Sequence, residues 1–144
     1  PKARWRVWYA TTPLSEECVS VLSSQGIPSL LRLQVRFSIP IKLPSLANMR
    51  LYWRRMASLK KRQRLTTKLC MLGVTIPPPP LLVTITRVGP RILDDDNLAS
   101  ACKYVRDQIA ATVGIDDGSS LYTWRYEQKV GKYGVEVEIT SRER

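Results

Sequence analysis

The sequence predicts an α+β domain: two layers, a mixed β-sheet with helices on one face, and the element order β-α-β-α-β-β. Three observations carry this. Leu31, Leu33, Val35, Phe37, Ile39 and Ile41 alternate with Arg32, Gln34, Arg36, Ser38, Pro40 and Lys42, the period-two pattern of a strand with one buried face. Residues 54–72 and 97–113 contain neither Gly nor Pro and are each followed by a glycine, Gly73 and Gly114, as helices with glycine C-caps are. Apolar and β-branched runs at 81–88, 121–129 and 133–140 supply the remaining strands.

Taken in order, residues 1–30 read as an N-terminal extension outside the domain core. They hold Trp5 and Trp8, a short helical stretch near 15–22, and turn formers at Gly26 and Pro28. Residues 31–144 form the domain proper. Pro40 places the end of the first strand at a sheet edge or bulge, and residues 44–48 form a loop. The first helix offers Met56, Leu59, Leu65, Leu69 and Leu72 to the core, while Arg54, Arg55, Lys60, Lys61, Arg62, Arg64 and Lys68 crowd its remaining surface. Pro77-Pro78-Pro79-Pro80 is a stiff connector. Leu81, Leu82, Val83, Ile85 and Val88 mark a buried strand, and Gly89-Pro90 turns the chain. The second helix presents Leu98, Ala101, Val105, Ile109 and Val113 as a buried stripe. Gly114 stops it, Asp116-Asp117-Gly118 is a turn, and the last two strands are expected to pair as an antiparallel hairpin around Gly131-Lys132. No internal repeat or long low-complexity run is present.

The chain of 144 residues carries a formal charge of +11, and the sign is segregated. Residues 1–93 hold sixteen basic residues and only Glu16 and Glu17 as acids; residues 94–144 hold seven basic and ten acidic residues. A basic body of this kind attracts a polyanion, and with no apolar run of about 18 residues the expected polyanion is nucleic acid and not a membrane surface. The basic start, Pro1-Lys2-Ala3-Arg4-Trp5-Arg6, is not followed by an apolar segment with a cleavage site, so no signal peptide is read. Cys18, Cys70 and Cys102 are odd in number and far apart, and histidine is absent. That argues against a disulfide scaffold or a zinc site and points to a reducing cytoplasm. It also excludes His-based acid–base and Ser/His/Asp chemistry. Hydrolysis by this chain would have to use carboxylates, lysine or a metal.

Carboxylates concentrate in two places: Asp94-Asp95-Asp96-Asn97-Leu98, and Asp116-Asp117-Gly118 after Ile115. One reading is structural. Asp96 or Asn97 can cap a helix, carboxylates suit a helix start, and Asp-Asp-Gly is an ordinary turn. The other is a divalent cation held between the acids and the polyanion. An EF-hand is excluded, because Leu98 stands at the fifth loop position and no glycine follows at the sixth. From the residues alone both readings stay open.

The spaced set Asp94-x-Asp96-Asn97-Leu98, a helix containing a lysine, Asp116-Asp117 and a closing strand pair resembles the RusA family of Holliday-junction resolvases. So does the Leu43-Pro44-Ser45 loop running through Asn48 to Tyr52-Trp53-Arg54. The resemblance covers about residues 31–141 and leaves the first thirty outside. It implies a bacterial or phage-encoded, cytoplasmic homodimer that hydrolyses phosphodiesters at four-way DNA junctions with Mg²⁺, with Mn²⁺ as a substitute. Residue by residue, it places the catalytic and metal-binding acids on Asp94, Asp96 and Asp117, with Asp116 beside them. The family's lysine falls on Ser100 here, a departure. Lys103, one turn further and followed by Asp107 as the family's lysine is followed by an Asp, is assigned the role across a small insertion; the structural alternative is an i,i+4 pair of Lys103 with Asp107. Asn48, Arg54, Arg55, Lys60, Lys61, Arg64 and Lys68 are the expected DNA contacts; Tyr52 or Trp53 could stack on an unpaired base, but for Trp53 the favoured reading is a packed loop aromatic. Asn97 is expected to cap its helix.

One geometric difficulty is visible in advance. A helix over 97–113 is roughly 25 Å long, so Asp96 and Asp117 lie near opposite ends. They can share a metal only if the chain folds back after Gly114, or if a two-fold dimer sets two such helices antiparallel. Apolar residues of the strands and of this helix are the expected dimer interface. The competing functions are a non-catalytic basic DNA-binding module and a metal-dependent nuclease for flaps or single strands.

Overall fold

The computed structural model describes residues 34–46 and 53–142. The expectations for residues 1–30, for the strand residues before Gln34, and for Asn48 and Tyr52 lie outside the described residues. Six elements follow in order: β1 (Gln34–Ile39), α1 (Trp53–Cys70), β2 (Leu81–Gly89), α2 (Asp95–Val113), β3 (Tyr122–Val130) and β4 (Gly134–Ser141). The architecture is α+β, a four-stranded mixed sheet with two helices. Among the described residues no helix is long and apolar enough to cross a membrane.

The sheet order is β1-β4-β2-β3. β4 is antiparallel to both β1 and β2, and β3 is parallel to β2. The expected β3–β4 hairpin is therefore not formed: β2 lies between the two strands. The three-residue link 131–133 carries the chain across the end of β2 instead of turning beside it. Gly131 makes this crossing possible. Its N–H donates to Gly89 O at 3.0 Å, and a Cβ there would lie 2.9 Å from Val88 Cγ1, closer than packed carbons approach. Burial explains the preference. Every other residue of β2, from Leu81 to Gly89, is buried, so its backbone is best satisfied with a neighbour on each side. The short β1 takes one edge, where Pro40 ends it without leaving a ladder bond unmade.

The inward faces of the strands, including Ile39, Leu81, Val83, Ile85, Val135, Val137 and Ile139, pack with Leu98, Ala101, Cys102, Val105 and Ile109 of α2 into one core. Leu82 and Val88, expected inside, are half-buried because strict alternation turns them to the other face of the sheet. Gly114, in the left-handed conformation with φ 82°, closes α2 by donating to Ala110 O, as an αL cap does. Leu98, Ala101, Val105 and Ile109 of α2 are spent on its own core and are not free for the helix part of the expected dimer interface.

α1 departs from expectation more sharply. Leu65, Leu69 and Leu72 are 53%, 56% and 68% exposed, while Gln63 and Thr67 are buried. On a 100°-per-residue wheel the leucines lie opposite Gln63 and Thr67. Met56, Leu59 and Cys70 share the inward side and are half-buried. This placement is testable by urea denaturation. Leu69→Ser is expected to change stability by no more than about 0.5 kcal/mol, as exposed substitutions do. Ile85→Ala, at a fully buried position, is expected to lose about 2–5 kcal/mol.

Candidate functional site

β1, β2 and β3 run in one direction, so the loops after β1 and β2 leave the same end of the sheet. The acidic motif sits on the second of these loops and on the first turn of α2. Asp94 is the N-cap, with φ −65° and ψ 155°, yet its side chain makes no cap hydrogen bond. Asn97 does not cap either: its Oδ1 accepts from Ser45 Oγ at 3.1 Å. Asp94, Asp95 and Asp96 are all exposed, and none makes an ion pair or side-chain hydrogen bond among the described residues. The capping role that would make them merely structural is thus unfilled. What remains for them is the favourable field of the helix N-terminus, worth about 0.3–1 kcal/mol per charge.

The backbone beneath these carboxylates is clamped. The Gln128 side chain on β3 mimics a paired strand: Leu93 N–H donates to its Oε1 at 2.8 Å, and its Nε2 donates to Leu93 O at 2.7 Å. Arg87, 5% exposed, donates from Nε to Leu43 O at 3.0 Å and from Nη1 to Arg91 O at 2.8 Å. One buried guanidinium therefore ties the loop after β1 to the loop after β2. Sequence reading missed both residues. Arg87 could have been noticed as a charge on the inward phase of an otherwise apolar strand.

Arg87 also acts on Cys102. Burial pushes this thiol up to about 12, and the Arg87 charge opposes that only in part. Cys70 is raised by burial too, and both are free thiols. A raised folded-state pKa means the unfolded chain loses its proton first. The contribution of Cys102 is therefore fully present below the ordinary value of 9.0 and is lost as pH climbs toward about 12. The stability difference between wild type and Cys102→Ala in urea is expected to be constant below that range and to shift against wild type as pH rises through it.

Asp116 and Asp117 stand at the opposite end of the sheet, before β3. They border a shallow depression of about 330 Å³ with Asp107, Ala110, Ala111, Gly114 and Ile115. Asp117 is engaged: Arg106 Nη2 lies 2.8 Å from its Oδ2, and Trp124 Nε1 donates to its backbone carbonyl at 2.9 Å. Arg106 is 3.9 Å from Asp107 and donates to the Tyr126 hydroxyl at 3.4 Å. Burial lowers the Arg106 pKa, but the Tyr126 hydrogen bond and the charges of Tyr126, Asp117 and Asp107 outweigh it, so the net shift is upward. This partner was not foreseen, since no helical spacing rule links residues eleven apart across a helix end.

The 19 residues of α2 put about 28 Å between the two acidic groups. The chain does not fold back after Gly114, so Asp94 and Asp96 cannot meet Asp116 and Asp117 within one copy. Among the described residues no three His, Cys, Asp or Glu side chains converge on a metal position. Lys103 is exposed and makes no ion pair among the described residues, so the structural alternative of a pair with Asp107 is not formed. It shares the outer face of α2 with Asp96 at about 10 Å along the axis.

The basic residues of α1 meet no acid within their own helix. Arg54, Arg55, Lys60, Lys61 and Lys68 are exposed, whereas Arg64 is half-buried. Arg64 Nε donates to Gln108 Oε1 at 3.2 Å, and Lys60 Nζ lies 5.7 Å from the Tyr104 ring centre, so both lean on α2. Trp53 opens the helix and is 64% exposed, with the Arg54 guanidinium carbon 5.1 Å from its ring centre. No model of a known protein family matches the chain, and no curated protein matches it.

Proposed function

We propose that this chain is a divalent-metal-dependent endodeoxyribonuclease that cuts branched DNA, with four-way junctions as its substrate. The observation that carries the reading is the acidic loop. Three adjacent exposed carboxylates have no partner among the described residues, yet the backbone that bears them is pinned by Arg87, Gln128 and Ser45. Adjacent like charges held in place, in a chain of net charge +11, suit a cation shared with a phosphate. The motif-level resemblance to the RusA resolvases supports the same conclusion.

Asp94 and Asp96 would hold Mg²⁺, which takes one or two carboxylates and completes its shell with water and substrate phosphate; Mn²⁺ would serve in its place. Bound there, the ion supplies an activated water and offsets charge on the phosphate. Lys103, exposed on the same helix face, would place an ammonium beside the developing charge. Asp116 and Asp117 are too far to join from the same copy. A homodimer with two α2 helices antiparallel along the face of Asp96, Ser100, Lys103, Asp107 and Ala111 would bring them to the partner's Asp94 and Asp96, once Arg106 releases Asp117. The free thiols Cys70 and Cys102 agree with a cytoplasmic setting.

Incubating the protein with an end-labelled four-way junction, with and without Mg²⁺, tests the reading; paired cuts only with the ion are expected. The Arg106–Asp117 pair favours a second reading, a DNA-binding module without catalysis, and binding without any cut would select it. Replacing Lys60, Lys61 and Lys68 together by glutamine should weaken binding to every DNA. It should also lower the slope of log affinity against log salt by up to about 0.9 per lost phosphate contact. Anisotropy titrations across a salt series measure this.

A further inference from the structure

The inward side of α1 is polar where the sequence offers leucines, and one of its polar residues is left incomplete. Thr67 is satisfied, its hydroxyl donating to Gln63 O at 2.8 Å. Gln63, only 2% exposed, is not. Its Nε2 reaches Lys42 O at a long 3.4 Å, and its buried Oε1 has no hydrogen-bond partner. A buried unpaired acceptor destabilises the fold that contains it, and such defects are kept where a ligand completes them.

Gln63 lines a cavity of about 330 Å³ whose other walls are Pro40, Ile41, Pro44 and Leu59, with Lys42 and Arg62. Both cations are exposed, and neither makes an ion pair among the described residues; Lys42 Nζ rests 4.4 Å from the Tyr133 ring centre. The cavity thus has mostly apolar walls, with one unmet acceptor buried behind them on Gln63 and two positively charged residues in its lining. The Lys42 carbonyl orients the amide, so the free end is the oxygen. The same loop continues to Ser45, which contacts Asn97 in the acidic motif.

We propose that this cavity receives one unstacked nucleobase of a bound strand. The base lies between the proline and leucine side chains, an exocyclic amino group donates to Gln63 Oε1, and Lys42 and Arg62 hold the adjoining phosphates. Leu59 and Arg62 shift to open the amide to the base. The proposal rests on the chain acting on DNA. It explains why a glutamine occupies a position where leucine would pack without a defect.

The test uses the full chain and single-stranded thymidine 12-mers, whose bases carry no amino group, with one central adenine or with hypoxanthine, which lacks the amino group, in its place. Wild type is expected to bind the adenine form roughly tenfold tighter. Gln63→Leu is expected to bind both forms alike, at the level of the hypoxanthine form, and to be at least as stable in urea. A single 2-aminopurine in the strand should brighten on binding wild type as it leaves its stack, a reading that needs no variant. Equal affinity of wild type for both forms, a preference that survives Gln63→Leu, or unchanged 2-aminopurine emission would each overturn the pocket. Junction cleavage alongside any of these leaves the nuclease reading intact, whereas failure to bind both the single strands and a four-way junction overturns both.

Discussion

Asp96→Asn is expected to reduce Mg²⁺-dependent junction cleavage by at least about 10²-fold, the scale of removing one group that offsets transition-state charge, while leaving junction affinity unchanged. Asp96 is exposed at the first turn of α2 and contributes no side-chain bond among the described residues, so its removal should cost no more than the helix N-terminal field's contribution of about 0.3–1 kcal/mol. Single-turnover cleavage of a labelled junction beside a binding titration separates the two effects. A dimer mixed from wild type and Asp96→Asn should nick one strand without resolving the junction, because each copy supplies one such residue. Full cutting by the variant would sink the assignment. Paired cuts made by a monomeric form would remove the need for a second copy.

Arg87→Met is expected to lose about 2–4 kcal/mol of stability in urea, the scale of leaving two carbonyls without their charged donor. The substitution removes two donors at once and leaves Leu43 O and Arg91 O without their partner. Methionine fills much of the volume, so the loss reports the hydrogen bonds more than a cavity. Cleavage should also fall in the fraction of molecules still folded, because the loops after β1 and β2 are no longer tied together. A variant as stable as wild type would show that the carbonyls find other donors and that the clamp is incidental.

Much of this molecule can be read from the chain by itself. Period-two alternation located β1, unbroken helix formers located α1 and α2, and Gly114 ended α2 where only an αL cap fits. The segregation of charge and the two acidic groups are facts of sequence, as is the distance that a 19-residue helix must put between them. These features are local, and local physics determines them.

Only the tertiary structure decided the rest. A three-residue link suits a hairpin or a crossing equally well, and the requirement of the buried β2 for two neighbours chose the crossing. Leucines four and three apart on α1 mark an apolar stripe but not which side meets the sheet; packing turned Gln63 and Thr67 inward and left Leu65, Leu69 and Leu72 outside. Whether the Asp94–Asp96 carboxylates are caps or unused charge depends on Ser45 taking Asn97 and on Arg87 and Gln128 holding the loop. Those partners lie 52, 44 and 35 residues apart along the chain. No spacing rule reaches so far, because such contacts exist only once the sheet has brought the loops to one end.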